Sequence, residues 1–420
     1  MNIRITAPIR GGEIAAIPSK SQAHRLLICA ALADAPTRIL CPAASEDICA
    51  TAGCLRQLGA KIEYDGAGFW VTPIAQVRQG QTLHCRESGS TLRFLLPVAA
   101  ALGAECSFLL KGRLPQRPHE PLLAVLKAHG CGIARPAPER IVLRGRLQGG
   151  RFIVPGSISS QFVSGLLLAL PLLSGDSELL VGDTLQSRPY VDMTLQALRR
   201  FKIDIREAQQ SFFIPGGAGF RTLGQLCVEG DWSSAAVWLS AGALSLESLC
   251  CKGVELSSAQ GDKMIVSLLR QMGAALNAAE GGVRVAGGRL RAADIDAADI
   301  PDLVPVLAAA ASLAEGTTTI YNAGRLRLKE SDRLRAAARA LTALGAESRE
   351  EPAGLRIAGK PALTGGIVDA CGDHRIAMMA AVAAVGCTGA VTVLGAQAVH
   401  KSYPAFWQHY RLLGGQAEEC

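Results

Sequence analysis

The chain has 420 residues, of which 49% are apolar and 5% aromatic, and its net charge is +7. That length favours two or three domains with large aliphatic cores. The longest apolar runs, such as residues 166–173, are far too short to span a bilayer. Lys and Arg are spread singly rather than in a stripe interleaved with aromatics, which argues against a nucleic-acid binder and for small acidic ligands.

The first stretch, NIRITAPI–RGGE–IAAI, reads as a strand hairpin. It lacks the apolar core of a signal peptide and the Arg- and Ser-rich look of a transit peptide, so a cytoplasmic protein is expected. Next, Pro18–Arg25 leads into the Ala/Leu-rich helix LLICAALA. A second helix ends at LRQLG, and KIEYDGAGFWV follows as a hairpin. The pattern then recurs. Helical stretches end in LKAHG (Gly130), LRRFK (Lys202 in place of Gly), LRQMG (Gly273), LTALG (Gly345) and YRLLG (Gly414). From Gly59 onward the spacings are 71, 72, 71, 72 and 69 residues. The Gly is the C-cap that turns left-handed without steric cost.

Each repeat also holds an earlier helix that is apolar nearly all round and is therefore expected to be buried. Examples are LPVAAALG, FVSGLLLALPLL, AAVWLSAGAL, LVPVLAAAASLAEG and IAMMAAVAAVG. A unit is then βαβαββ, an α/β fold with one helix inside and the other facing solvent. The sixth copy is cut short after Gly414, and the N-terminal hairpin is expected to complete it. That closure divides the chain into a domain of residues 1–18 plus 228–420 and a domain of residues 19–227, each of three units. The alternative of six units in an open row fits the truncated copy less well. Two crossings, near 18–20 and 226–230, predict a hinge that closes over a ligand.

Polar residues gather at the starts of the buried helices, where free N–H groups and the helix dipole attract anions. They are Lys20, Ser21 and Arg25; then Ser88–Arg93 after Glu87; then Arg113–Pro121 with Arg117 held among prolines. Ser157, Ser159, Ser160 and Gln161 follow, then Ser187–Tyr190. In the second half come Ile300–Asp302, the run Arg325–Leu334, Gly372–Arg375 and His400–Pro404. Lys329 and Arg333 are expected to share a helix face at i, i+4, with Glu330 beside them. A capped helix or a surface charge run explains any one of these, but not their recurrence in register with the repeat. No Walker or GxGxxG loop occurs, so nucleotides are not indicated. The 13 cysteines form no CxxC pair and no zinc spacing, so reduced, mostly buried thiols and no metal are expected.

Read together, SKSQAHR, ESGSTLR, the Arg-Pro of QRP, SISSQF, SRPY, IPD, LKESDRL, GDHR and HKSYP resemble the enolpyruvyl transferase family. The likeness is strongest to the branch that uses shikimate 3-phosphate. The motifs run in family order from residue 19 to 404. The resemblance implies an inside-out α/β barrel fold: two domains of three βαβαββ units, with the active site in the interdomain cleft. It implies transfer of the enolpyruvyl group of phosphoenolpyruvate to the 5-hydroxyl of shikimate 3-phosphate, with release of phosphate, in aromatic amino acid biosynthesis. By resemblance, Ser21, Arg25, Ser159, Ser160, Gln161, Ser187 and Lys329 would hold shikimate 3-phosphate. Gly89, Arg117, Arg333, Arg375 and Lys401 would hold phosphoenolpyruvate, and Lys20 would touch both. Asp302 would bind the shikimate hydroxyls and accept a proton, and Glu330 would move a proton at the methylene carbon. No Asn contact is carried onto Asn322. No cofactor, nucleic acid or membrane is implied, and a monomer is expected.

The inventory suits the chemistry. Two substrates bring two phosphates and two carboxylates into one pocket, which calls for many fixed cations. The sister transferase acting on UDP-N-acetylglucosamine is the nearest rival, but its reactive Cys is missing from Arg113–Glu120. A non-catalytic anion- or RNA-binding protein is disfavoured by Asp302 and Glu330 among the cations, since acids repel phosphate.

Overall fold

The computed structural model describes residues 1–420. Its helices alternate between two kinds. The chain order is α1 (Lys20–Ala31), α2 (Glu46–Leu58), α3 (Gly89–Leu102), α4 (Glu120–Ala128), α5 (Ser160–Ala169) and α6 (Arg188–Arg200). Then come α7 (Trp232–Leu244), α8 (Ile265–Gln271), α9 (Val304–Ala311), α10 (Arg333–Ala343), α11 (His374–Ala383) and α12 (Phe406–Leu412). The odd-numbered helices are the apolar ones: α9 and α11 are buried at every position, and α3, α5 and α7 at nearly every one. The even-numbered helices bury one face; α4 buries only Leu122, Leu123 and Leu126. That division is the one expected from their sequence patterns.

Six four-stranded sheets accompany the helices. In the clearest repeat, strand Gln81–Arg86 leads through α3 to a parallel neighbour, Cys106–Leu110. After α4, the hairpin Cys131–Ala137/Arg140–Gly145 adds antiparallel strands. The turn into each hairpin needs a left-handed residue, and Gly59, Gly130, Gly273, Gly345 and Gly414 all have positive φ. Lys202 holds the same position at φ 62° despite its side chain.

By internal packing the chain forms two compact units, Pro18–Val228 and Met1–Ile17 with Glu229–Cys420. Each has its own continuous hydrophobic core. In the first unit α3 and α5 pack against each other, touching at Gly165, where an added Cβ would lie 2.1 Å from the Arg93 carbonyl oxygen. In the second unit α7, α9 and α11 all contact one another, and runs of Ala give their backbones room to approach.

The N-terminal stretch differs from the expected hairpin. Ile3–Ala7 inserts between Val391–Leu394 and Gln416–Glu419 and completes the last sheet. Gly12–Ala15 instead pairs in parallel with Leu249–Lys252, as the missing first strand of the fourth repeat. The Gly11–Gly12 link is a local turn signal, but both sheets would lack a strand if these segments paired with each other. In the Pro18–Val228 unit the corresponding first strand, Gln225–Cys227, pairs with Arg38–Leu40 and comes last in the chain.

Candidate functional site

Only some of the polar motifs start buried helices as expected; those around Arg117, Ser187, Lys329 and Lys401 precede the outer helices α4, α6, α10 and α12. Ser19, Ser88 and Ser159 accept backbone N–H groups at the starts of α1, α3 and α5. Asp231, Asp332 and Asp373 do so for α7, α10 and α11. Capping therefore fixes the backbone that carries the neighbouring cations.

In the Pro18–Val228 unit, Lys20 opens α1, and its Nζ pairs with Asp47 Oδ2 at 3.0 Å. Ser21 lies beside it, half-buried. Arg25 is 2% exposed and turns inward. Its Nε donates to Thr194 Oγ1 at 2.8 Å, and its Nη atoms donate to the carbonyls of Ser21 at 2.6 Å and Tyr190 at 2.7 Å. Burial lowers its pKa to about 10, so it stays cationic. Its acceptors are neutral, and no carboxylate balances it. Arg25 thus ties α1 to the first turn of α6, just after Ser187. That serine holds a left-handed backbone (φ 57°) and is buried, a conformation a non-glycine residue adopts only under local constraint.

A second group forms where α3 and α5 begin. The Arg117 guanidinium packs on Gly89: a Cβ there would sit 2.9 Å from Nη1. Arg93 Nη1 donates to Gln161 Oε1 at 2.7 Å, and Gln161 Nε2 donates to Ser90 Oγ at 2.9 Å. Ser159 and Ser160 start the same helix as Gln161. Arg117 was expected on a rigid loop; it follows a 3-10 turn, Leu114–Gln116, and is itself buried. Beneath these groups runs a buried polar chain: His24 Nδ1 to Thr51 Oγ1 (2.7 Å), then Thr91 Oγ1 (2.7 Å), then Ser88 Oγ (2.8 Å). Burial holds His24 down to about 3, so it is neutral and structural.

In the other unit the charged groups are denser. Arg333 is 2% exposed and meets three carboxylates: Asp373 at 2.8 Å, Asp302 at 2.7 Å and Glu330 at 2.7 Å. Arg375 Nη2 reaches Asp302 Oδ2 at 3.3 Å, and Lys401 Nζ lies 3.8 Å from Glu330 Oε1. Burial would raise the pKa of Asp302, but Arg375, Lys329 and Arg333 hold it well below the usual carboxylate range. For Lys329, burial outweighs the attraction of Asp302 and lowers the pKa to about 8. The expected shared helix face of Lys329 and Arg333 is not formed. Lys329 is extended at the end of the 3-10 turn Gly324–Leu328, and α10 begins only at Arg333, after the Asp332 cap. Asn322 lies apart from these groups, bonded through Nδ2 to Asp296.

Each set expected from the sequence is therefore shared by the two units. Gly89 and Arg117 belong to one; Arg333, Arg375 and Lys401 belong to the other. Likewise Ser21, Arg25, Ser159, Ser160, Gln161 and Ser187 are in one unit, and Lys329 and Asp302 in the other. Asp47, Arg93 and Asp373 are partners that carried no assigned role in the sequence. Arg93 and Asp373 stand inside ESGSTLR and GDHR, stretches already expected at helix starts, though without individual roles. Asp47 reads only as an acidic residue in the first turn of α2.

Residues 3–410 match the EPSP synthase (3-phosphoshikimate 1-carboxyvinyltransferase) family. A 3-phosphoshikimate 1-carboxyvinyltransferase of Clostridium kluyveri is 41% identical over 97% of this chain and 96% of its own length. One from Clostridium acetobutylicum is 42% identical over 97% and 96%. In fold, the chain is similar to the EPSP synthase structure from Acinetobacter baumannii, with TM-score 0.83, 23% identity and 100% of both chains covered. It is also similar to the enolpyruvyl transferase NikO from Streptomyces tendae, with TM-score 0.80, 22% identity, and 99% and 98% covered. Both likenesses place it in the two-domain inside-out α/β architecture. With the repeats, the capped cations and the ordered motifs all pointing the same way, the chain belongs to the EPSP synthase family.

Proposed function

We propose that this protein transfers the enolpyruvyl group of phosphoenolpyruvate to the 5-hydroxyl of shikimate 3-phosphate, releasing inorganic phosphate. The carrying observation is the pairing of Asp302 and Glu330 on Arg333, with Arg375, Lys329 and Lys401 around them. Such a cluster offers carboxylates for proton transfer and cations for phosphates and carboxylates in one place. Full-length relatives that bear the transferase name support the reading.

In this reading the 5-hydroxyl oxygen adds to C2 of phosphoenolpyruvate while C3 gains a proton. The C2–O bond to phosphate then breaks and C3 gives a proton back. Asp302 binds the shikimate hydroxyls and accepts the hydroxyl proton. Glu330, beside Lys401, moves the proton at C3. Asp302 starts ionised because its cations stabilise the charge. An anion arriving on Arg375 and Lys329 divides their attraction and makes Asp302 a stronger base when the alcohol is in place. Ser21, Arg25, Ser159, Ser160, Gln161, Ser187 and Lys329 hold shikimate 3-phosphate. Gly89, Arg117, Arg333, Arg375 and Lys401 hold phosphoenolpyruvate, and Lys20 touches both. Enclosing the bound substrates removes water and strengthens every charge interaction. The protein works as a monomer with no metal or organic cofactor.

The test is phosphate release with both substrates. The wild-type protein turns over. Lys20→Ala and Asp302→Ala each lose at least about a hundredfold in rate, the scale of a lost proton-transfer or charge-stabilising group, with circular dichroism unchanged. Full activity in Asp302→Ala removes the assignment. Turnover of UDP-N-acetylglucosamine in place of shikimate 3-phosphate replaces the function.

A further inference from the structure

The short turn Gly261–Met264 packs beside the start of α7 and carries Asp262, a carboxyl that the chemistry above does not use. Asp262 is 2% exposed. Its Oδ2 accepts a hydrogen bond from Ser233 Oγ; its Oδ1 is buried without a hydrogen-bond partner. Leaving a buried carboxylate oxygen unsatisfied is costly while the group is charged, and less so once it is neutral. Ser233 also faces the other way. Its main-chain carbonyl accepts from Arg375 Nη1 at 3.0 Å, and Arg375 Nη2 donates to Asp302 at 3.3 Å. One serine therefore joins Asp262 to the arginine of the charged cluster.

The charged groups facing Asp262 are Arg375 from α11, Asp302 ahead of α9 and Asp231 at the cap of α7. On its own turn, Lys263 is directed away, to the Leu256 carbonyl. Burial and then the charge of Asp302 push the Asp262 carboxyl up to about 7, against the pull of Arg375 and the Ser233 hydrogen bond. Asp262 can therefore change its charge near neutral pH, next to a cation assigned to a substrate.

We propose that Asp262 is a positioning residue that takes up a proton when an anionic substrate docks on Arg375, so that one negative charge leaves as another arrives. The proposal rests on the reading that Arg375 holds phosphoenolpyruvate. Neutral Asp262 still accepts from Ser233, which keeps the Arg375 hydrogen bond in place, and the whole positive potential of Arg375 is then offered to the ligand. The sign follows from linkage. At low pH, Asp262 is already protonated and binding needs no proton. As pH rises through its midpoint the proton must come from solvent, and affinity falls.

The experiment is calorimetric titration of phosphoenolpyruvate into the full-length protein at pH 7, in buffers of different ionisation enthalpy, for the wild type, Asp262→Asn and Arg375→Lys. Asn keeps an acceptor for Ser233 but cannot titrate. The wild type takes up about half a proton more than Asp262→Asn, as expected near the midpoint of one site. The ratio of wild-type to variant KM for phosphoenolpyruvate rises by up to about tenfold per pH unit above that midpoint. Equal proton counts in the two proteins overturn the proposal. If Arg375→Lys leaves phosphoenolpyruvate affinity unchanged, the substrate assignment of Arg375 fails first and takes the proposal with it. If it weakens binding while the proton counts stay equal, only the proposal fails. Should Asp262→Asn not fold, Ser233→Ala gives the answer. Removing its hydrogen bond to the ionised carboxylate moves the KM–pH midpoint upward, and an unmoved midpoint overturns the idea.

Discussion

Arg117 is positioned by the absence of a side chain. Its guanidinium occupies the place where a Cβ of residue 89 would stand, 2.9 Å from Nη1. Gly89 is not left-handed, so alanine fits the backbone, and the obstacle is the far end of a flexible side chain. Gly89→Ala is therefore expected to fold normally yet displace Arg117. KM for phosphoenolpyruvate rises about tenfold, equivalent to ~1.4 kcal/mol, while KM for shikimate 3-phosphate changes little. Equal losses for both substrates in steady-state kinetics contradict this. At this scale the sequence was informative about which residues carry charge, and less so about what they touch. Arg25 reads as a helix-start cation, but only the folded chain supplies Thr194 and the Tyr190 carbonyl, both far along the sequence. Asp262 gives no local signal, because its unusual proton affinity comes from burial and from Asp302 on another repeat.

The repeat is legible at the level of elements because its marker is local. A helix that ends in a left-handed residue and turns back as a hairpin needs a particular φ, and glycine supplies it. The irregular copy carries a prediction. Lys202 is exposed and left-handed at φ 62°, a conformation that costs an ordinary residue about 1–2 kcal/mol. Lys202→Gly is expected to stabilise the protein by roughly 1 kcal/mol, after the greater unfolded-state freedom of glycine is set against the relief. Chemical denaturation should report a higher midpoint with an unchanged slope. The same local logic fails for Lys329 and Arg333. Their spacing fits a helix face, yet Asp332 prefers to cap α10, and the helix starts too late to include Lys329. It fails again at residues 3–15, where Gly11 and Gly12 promise a hairpin. There the pairing is decided by which sheets lack a strand, a demand that no window of sequence contains.

For the molecule as a whole, the important consequence is that Ile3–Ala7 is the fourth strand of the last repeat. Ile3 pairs with Glu419 and Ile5 with Ala417, so the end of one strand lies beside the beginning of the other. Moving residues 1–7 to follow Cys420 directly would turn this pair into an ordinary hairpin, as in the other repeats. That rearranged protein is expected to keep its thermal midpoint within a few degrees and to retain phosphate-release activity. Deleting residues 1–7 outright should leave Val391–Leu394 and Gln416–Glu419 without the strand between them and abolish cooperative unfolding of that unit.

The same pairing orders events during synthesis. Pro18–Val228 contains all the strands of its own sheets, so it can fold as soon as its last strand, Gln225–Cys227, emerges. Ile3–Ala7, made earlier, must wait until Val391–Leu394 and Gln416–Glu419 appear. Until then the strand whose Ile3 and Ile5 are destined for the core stays unpaired. Contacts this distant in sequence also form slowly. The interval between translating the middle of the chain and residues 391–419 is thus when Ile3 and Ile5 are most open to aggregation.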